Sequence, residues 1–502
     1  MRHGNALYRT EQIRLCEQMA SEQLGLTGEQ LMARAGAAAF SALRRLYPAT
    51  KKIAVFCGAG NNAGDGYVLA CLAAQAGYVV MIYQAVAIEK LPAAAKQAAI
   101  RAQAMNIPFF SLHDALASEV ELIVDALLGI GISGVVRPPI AKTINRINAS
   151  GLPIVSLDVP SGLDADTGRI LGVCVQASVC ITFIAAKLGL YLLDGADYAG
   201  KIICDSLQLT DCLEKQIPAA CLLQSLPLKT WLPPRRRNSH KGEYGHVLVV
   251  GGGEGMPGAA YLAALAALRV GAGSVTVATR PEHVSGILPG LPEAMVYGVE
   301  AAHALLPLLE KATVCVIGPG LGQSPWAEAL FQQVMAAKRP LVVDASALHL
   351  LATYPQQHPN WILTPHPGEA AKLLACHVTD IQQDRVAALK SLHARYGGVI
   401  VLKGHGTLIH SGEEPMAICT EGNPGMASAG MGDVLSGVMA GLLAQGVSLA
   451  RAAQLGVYLH AVAADAAIVN QGQRGLMASD LMPWLRVQLH LLSGDGHGHS
   501  VS

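Results

Sequence analysis

Short apolar runs that end in glycine alternate along this chain with longer stretches whose apolar positions recur at helical spacing. KKIAVFCGAGNNAGDG (residues 51–66), ELIVDALLGIG (121–131) and PIVSLDVPSGLD (153–164) each read as a buried strand reaching a loop that carries an acid or an amide. The pattern resumes with GHVLVVGGGEGMPGAAYLAALAALRVGAG, ATVCVIGPGLG, PLVVDASAL, WILTPHPGE and GVIVLKGHGTLIH, the last reading as two strands around a glycine-rich turn. Unbroken apolar strands separated by helices predict parallel sheets covered on both faces, an α/β class. Such sheets bind ligands at the carboxyl ends of their strands. Residues 226–244, LPLKTWLPPRRRNSHKGEY, interrupt the alternation with a proline pair and three consecutive arginines. A boundary near residue 225 therefore predicts domains 1–225 and 226–502. The alanine-rich stretch GEQLMARAGAAAFSALRRL predicts a helix that packs either into the core or against a partner subunit. The tail GDGHGHS reads as disordered, with metal binding by His497 and His499 as the alternative.

Composition narrows the classes. A chain of 502 residues exceeds one ordinary core, which supports two domains. Lys plus Arg equals Asp plus Glu, at 36 each, so no net field draws the chain to nucleic acid or an anionic membrane. Aromatics at 5% also argue against a base-stacking surface, and Arg235–Arg237 reads as a solvated linker. Eleven scattered cysteines without a C-x-x-C pair suit reduced thiols. No apolar leader opens the sequence, and the longest uncharged runs (170–186 and 434–450) are broken by Gly, Gln and Ser. A cytoplasmic location is expected.

Candidate chemistry in the second half centres on SAGMGDVLSG. Asp433 is the one charged side chain between Glu421 and Arg451, with Gly430 and Gly432 before a helical run that starts near Val434. A glycine turn opening a helix points backbone N–H groups at one spot and makes an anion site. A carboxylate there suits a general base for a hydroxyl attacking a phosphoryl group, and it suits a helix cap equally well. In KGHGT (residues 403–407), Gly404 and Gly406 let backbone approach a phosphate, while Lys403 and Thr407 offer a charge and a hydroxyl. GGGEGMPGAA, GPGLG and TPHPGE, the last with His366, each close an apolar strand.

HKGEYGHVLVVGG, GPGLG, DASAL, TPHPGE, KGHGT and SAGMGDVLSG occur in the order found in the ribokinase-like dehydratases that repair hydrated nicotinamide dinucleotides, and the chain resembles that family from about residue 235 onward. The resemblance implies a ribokinase-like αβα domain acting on NAD(P)HX, in which water has added across C5=C6 of the nicotinamide. Family members phosphorylate the C6 hydroxyl and expel phosphate; bacterial members use ADP, which this chain's form implies, with Mg2+ screening the phosphates. By position, Asp433 is the base. Gly432, Lys403, Gly404, His405, Gly406 and Thr407 lie on the adenine nucleotide. Gly258, Ala259, Gly320 and His366 hold the hydrated dinucleotide. Met431 stands where members often carry Thr or Ser.

In the first half, CGAGNNAGDGYVLACLAAQAG reads as a strand, a glycine loop and a helix, a cradle for a pyrophosphate. Asn61, Asn62 and Asp65 in that loop, Asp125 after ELIV, and Asp158 with Ser161 in LDVPSGLD are hard oxygen donors that suit a hard cation rather than zinc. The same groups could be polar strand-end caps. NNAGDG, DALLGIG and DVPSGLDADTG resemble the YjeF N-terminal domain, the Rossmann-like NAD(P)HX epimerase, over about residues 10–209; the family pattern NNGGDG is altered at Ala63, which matters if that position needs positive φ. The resemblance implies that Asn62, Asp125 and Ser161 coordinate K+. It places the dinucleotide on Asn61, Asn62, Ala63, Gly64 and Asp65 and on Gly129, Ile130, Gly131, Ile132, Ser133, Gly134 and Val135. Asp158 is the expected acid/base group at C6, and Lys187, in the loosely matching FIAAKLGLYLLDG stretch, is a further candidate catalytic residue.

The expected function is two-step repair: the first half interconverts the C6 epimers and the second uses ADP to dehydrate one of them. Its partners are NADHX or NADPHX and ADP, with neither nucleic acid nor membrane, in a homo-oligomer. Two other readings stay open. The second half could be a vitamin or sugar-like small-molecule kinase, and the first a binding scaffold like related domains of RNA-decapping proteins.

Overall fold

The computed structural model describes residues 5–223, 229–232, 234–412 and 415–493. His497 and His499 lie outside these residues, as do 224–228, where the boundary was expected. The chain divides into two compact units, 1–220 and 221–502. Among the described residues no helix is long and apolar enough to cross a membrane.

The first unit is a seven-stranded sheet. Its strands are β1 (Lys52–Cys57), β2 (Val79–Gln84), β3 (Phe109–Ser111), β4 (Leu122–Ala126), β5 (Ile154–Leu157), β6 (Val179–Phe183) and β7 (Lys201–Asp205), in the order β3-β2-β1-β4-β5-β6-β7. Every neighbouring pair is parallel. The period of two explains why β1 reads as wholly apolar: Ile53, Val55 and Cys57 join the core on one face, Ala54 and Phe56 that on the other. Helices α1 (Thr10–Leu24), α2 (Gly28–Leu46), α3 (Asn61–Gln75) and α4 (Ala93–Ala104) cover the first face, and α5 (Pro138–Asn148) the second. The alanine-rich stretch is α2, and it buries Ala35, Ala39 and Leu43 in that core. Strand order reverses between β1 and β4, which opens a crevice at their carboxyl ends. Gly58 keeps the two loops together there, since a Cβ on it would lie 1.7 Å from the Leu127 carbonyl oxygen.

In the second unit the strands are β8 (His246–Val250), β9 (Ser274–Thr279), β10 (Met295–Gly298), β11 (Val314–Ile317), β12 (Leu341–Val343), β13 (Trp361–Leu363), β14 (Val399–Leu402), β15 (Thr407–His410) and β16 (Met416–Cys419). They run in the order β16-β15-β14-β13-β12-β11-β8-β9-β10. Pairs from β14 through to β10 are parallel. The β14–β15 hairpin around KGHGT and the β15–β16 pair are antiparallel, so the sheet is mixed. Helices α6 (Pro257–Arg269), α7 (Met431–Ala444) and α8 (Leu449–Ile468) pack alanines and valines over Val247, Val316, Val342 and Val401. Three connections end at one edge of this sheet: Asp344 follows β12, Thr364 follows β13 and Lys403 follows β14.

Candidate active sites

A cavity of about 740 Å³ opens at the carboxyl ends of β1, β4 and β5. α3 begins at Asn61, so the NNAGDG stretch forms the first turns of a helix and not a loop. Asn61, Asn62 and Asp65 line the cavity, whereas Ala63 and Gly64 are buried in the helix behind them. Ala63 has ordinary helical backbone, and its added methyl meets no positive-φ requirement. Gly129, Ile130, Gly131 and Ile132 form another wall; Ser133, Gly134 and Val135 do not reach it, and Val135 is 73% exposed.

Behind that wall Asn62 and Ser161 bond the Leu128 backbone, and Asp125 is linked to it through Ser161. Asn62 Nδ2 donates to the Leu128 carbonyl (3.0 Å) and the Leu157 carbonyl (3.2 Å), which leaves its buried Oδ1 with no hydrogen-bond partner. The Leu128 N–H donates to Ser161 Oγ (2.8 Å), and Ser161 Oγ donates to Asp125 Oδ1 (2.6 Å). Asp125 is wholly buried, paired in register with Ser156, and receives hydrogen bonds only from neutral groups: the Ser161 N–H (2.9 Å), Ser156 Oγ (2.8 Å) and the Leu127 N–H (3.2 Å). Burial outweighs these bonds and pushes its carboxyl above the usual range.

Asp158 reaches the cavity from the end of β5 with φ +66°, a left-handed conformation uncommon outside glycine. Lys187 is fully buried and spends all three donors, on Asp158 Oδ1 (2.5 Å), Thr182 Oγ1 (2.9 Å) and the Phe183 carbonyl (2.7 Å). Burial, then the charges of Asp158 and Glu17, lift the Asp65 carboxyl well above its ordinary value. Glu17, on α1, lines the same cavity, and sequence reasoning gave it no role because no motif surrounds it.

In the second unit, α7 starts at Met431, three residues before the expected position, with Gly430 as its N-cap at φ +89°. Asp433 therefore lies in the first helical turn, while Met431 turns its side chain into the core. Asp433, the one charged side chain in its stretch of sequence, is not the only negative charge at this point in space. Sheet order brings Asp344 and Lys403 close to it, and the Lys403 ammonium feels Asp344, Glu369 and Asp433 together. Asp344 accepts from Lys403 Nζ (2.8 Å) and Thr364 Oγ1 (2.7 Å) on one oxygen and from Ser436 Oγ (2.9 Å) on the other. Against burial, which pushes it up, Lys403 and these bonds hold the Asp344 carboxyl below its usual range. Lys403 Nζ also lies 3.8 Å from Glu369 Oε2. A Cβ on Gly432 would sit 3.3 Å from both Asp344 Oδ2 and Lys403 Nζ.

Asp433 itself accepts no side-chain hydrogen bond among the described residues. Burial, then the Asp344 charge, push its carboxyl up to about 7 against the pull of Lys403. Glu369 is likewise raised to about 7 by burial. His366 caps the helix Pro367–Leu374, its Nδ1 accepting from the Gly368 N–H (2.9 Å) and the Glu369 N–H (3.3 Å), so that Nε2 carries the ring proton. Gly320 needs its glycine: at φ +59° a Cβ would lie 2.5 Å from the Met256 carbonyl oxygen and 3.0 Å from the Ala259 Cβ. That contact joins the GPGLG loop to Gly258 and Ala259 at the start of α6.

The KGHGT hairpin differs from expectation in two side chains. Thr407 Oγ1 donates to the Gly404 carbonyl (2.8 Å), and Lys403 Nζ is committed to Asp344, so the turn offers chiefly backbone to a ligand. It rests on buried Arg385, which donates to the carbonyls of Leu402 and Lys403 (3.2 Å each) and of His405. Burial pulls the Arg385 guanidinium down to about 10. Sequence gave no signal for Arg385, Asp344 or Glu369 as site residues, although two of them lie inside the DASAL and TPHPGE motifs.

Residues 247–485 match the model of the family described as NAD(P)H-hydrate dehydratase, and residues 28–189 match that of the YjeF-related protein N-terminus. The bifunctional NAD(P)H-hydrate repair enzyme Nnr of Coxiella burnetii is 49% identical over 482 residues, which cover 96% of this chain and 99% of that protein. Its Escherichia coli namesake is 42% identical over 485 residues, covering 96% and 93%. Among solved structures, the ADP/ATP-dependent NAD(P)H-hydrate dehydratase from Bacillus subtilis, co-crystallised with ATP and Mg2+, matches 54% of this chain and 97% of its own with a TM-score of 0.50 at 32% identity. A ribokinase-like superfamily protein from Enterococcus faecalis matches 55% and 98% with a TM-score of 0.51 at 29% identity.

Proposed function

The chain belongs to the bifunctional NAD(P)H-hydrate repair enzymes, and from that premise we propose which residues carry each activity. The first unit epimerises (R)- and (S)-NAD(P)HX at C6. The ribokinase-like second unit uses ADP to dehydrate (S)-NAD(P)HX to NAD(P)H, releasing AMP and phosphate. The observation that carries the assignment is Asp433: a carboxyl raised to about 7, with no side-chain hydrogen bond among the described residues, in the first turn of α7. A base of that strength beside backbone N–H groups can take the proton of the C6 hydroxyl as the oxygen attacks a phosphoryl group. Phosphorylation turns hydroxide, a poor leaving group, into phosphate, a good one.

Asp344 fixes Lys403 at 2.8 Å, which holds an ammonium where the phosphate's charge develops. Gly432 keeps that approach open, the backbone of residues 404–407 faces the adenine nucleotide, and Gly258, Ala259, Gly320 and His366 face the hydrated dinucleotide. Mg2+ would come carried on the phosphates of the nucleotide. When bound, Mg2+ supplies charge neutralisation of the phosphates.

In the first unit, Asp158 exchanges a proton with the oxygen on C6 and Lys187 holds it in place. A buried carboxylate surrounded by neutral donors, together with a buried Asn62 Oδ1 that has no hydrogen-bond partner among the described residues, suits a monovalent cation. Asn62, Asp125 and Ser161 would hold K+, whose charge would offset that of Asp125 and fix the Leu128–Gly129 wall. A cytoplasmic homo-oligomer goes with this reading, and sedimentation of the pure chain tests the assembly.

The decisive experiment supplies both NADHX epimers with ADP, Mg2+ and K+ and follows reduced-nicotinamide absorbance. Recovery of the whole pool faster than spontaneous epimerisation is expected. A phosphorylated product that accumulates without NADH would favour the small-molecule kinase. Recovery of one epimer alone would make the first unit a scaffold.

A further inference from the structure

Inversion at C6 moves two protons. If C6–O6 breaks, a donor must protonate the departing hydroxyl as the N1 lone pair forms C6=N1; water then adds to the other face and gives its proton to an acceptor. Atoms and charge balance, with one water lost and one gained, and the reverse direction exchanges donor and acceptor. Asp158 supplies one such group. Its partner Lys187 supplies no second, because all three ammonium hydrogens are already placed.

The cavity holds another carboxyl. Glu17 projects from α1, a different element from the strand end that carries Asp158, and both line the same space. Among the described residues its side chain makes no hydrogen bond or ion pair, unlike Asp158 with Lys187 at 2.5 Å. It also lies outside the stretch matched by the YjeF-related model, which begins at residue 28. We propose that Glu17 is the second proton-transfer group of epimerisation, working with Asp158 on a substrate held between α1 and the end of β5. Glu17 is exposed to the cavity, and partial desolvation of its carboxyl there, with the Asp158 charge, lifts it above the ordinary range, which suits a group that starts as the donor. This inference rests on the epimerase reading of the first unit.

The test uses the full chain carrying Glu17→Gln, Glu17→Asp or Asp158→Asn, given both NADPHX epimers with excess ADP and Mg2+. Absorbance then returns in two phases, the second limited by epimerisation. Glu17→Gln should leave the first phase alone and lower kcat of the second about 100-fold or more, with KM little changed; Glu17→Asp should restore part of it. Loss in KM alone would make Glu17 a binding group and overturn the proposal, as would an unaffected second phase while Asp158→Asn abolishes it. If neither Glu17→Gln nor Asp158→Asn slows that phase, the epimerase site itself has been misplaced.

Discussion

Replacing Asp433 by Asn tests the buried-base assignment through two observables that a merely structural aspartate would not couple. Lifting a carboxyl from 3.8 to about 7 makes its ionised form about 4 kcal/mol costlier in the native state than in the unfolded chain, at 1.36 kcal/mol per pH unit. Because the native state holds the proton more tightly, the group's contribution to stability is complete below pH 3.8 and is lost as pH rises to about 7. Asn does not titrate. The variant should therefore gain on the parent by about 2–3 kcal/mol between pH 5 and pH 8, about 5–10 °C in unfolding midpoint for a unit of this size. All four tryptophans (Trp231, Trp326, Trp361 and Trp484) lie in the second unit, so intrinsic fluorescence reports its unfolding alone. In the same preparation, ADP-dependent dehydration should fall about 100-fold or more while epimerisation stays. An identical stability offset at both pH values would refute the buried, raised carboxyl. Undiminished dehydration would refute its role as base.

Lys403→Met removes the cation that pulls the Asp433 carboxyl down, so the acid limb of the parent's dehydration profile, expected near 7, should move to higher pH; losing Asp344's ion-pair partner should also cost about 3–5 kcal/mol in the fluorescence-monitored unfolding. Asp125→Asn should abolish the dependence of epimerisation on K+ when K+ is exchanged for tetramethylammonium, a dependence the parent should show in both rate and thermal stability. Ala63→Gly, although it restores the family pattern, should destabilise the first unit by about 1 kcal/mol without speeding epimerisation, since the residue sits inside α3; calorimetry and the two-phase assay read the two effects.

Much of this molecule was legible before any coordinates. Each strand of β1, β4, β5, β8, β11 and β14 stands where an apolar run ends in glycine, because burial on both faces is written in local composition. Asp125 and Asn62 could be singled out because each ends or follows such a run, where open sheets bind ligands, and Asp433 because it is the lone charge after a glycine turn that opens a helix. What local pattern could not carry was the company these residues keep. Ser436 is 92 positions from Asp344 and Lys403 is 59; the packing of α7 on the sheet brings the first to Asp344, and the adjacency of β12, β13 and β14 the second. The isolation of Asp433 in the sequence was thus no guide to its surroundings in space. Protonation follows the same rule: burial and neighbouring charge, both tertiary quantities, lift Asp433, Glu369 and Asp65 and hold Asp344 down. Glu17 is the extreme case, an unremarkable acid on an amphipathic helix until the fold turns it toward Asp158. The sequence determined which chemistry was present and at which strand ends; the tertiary structure decided which groups share a site and which of them hold a proton, because electrostatic energy depends on distance and solvent exclusion and not on separation along the chain.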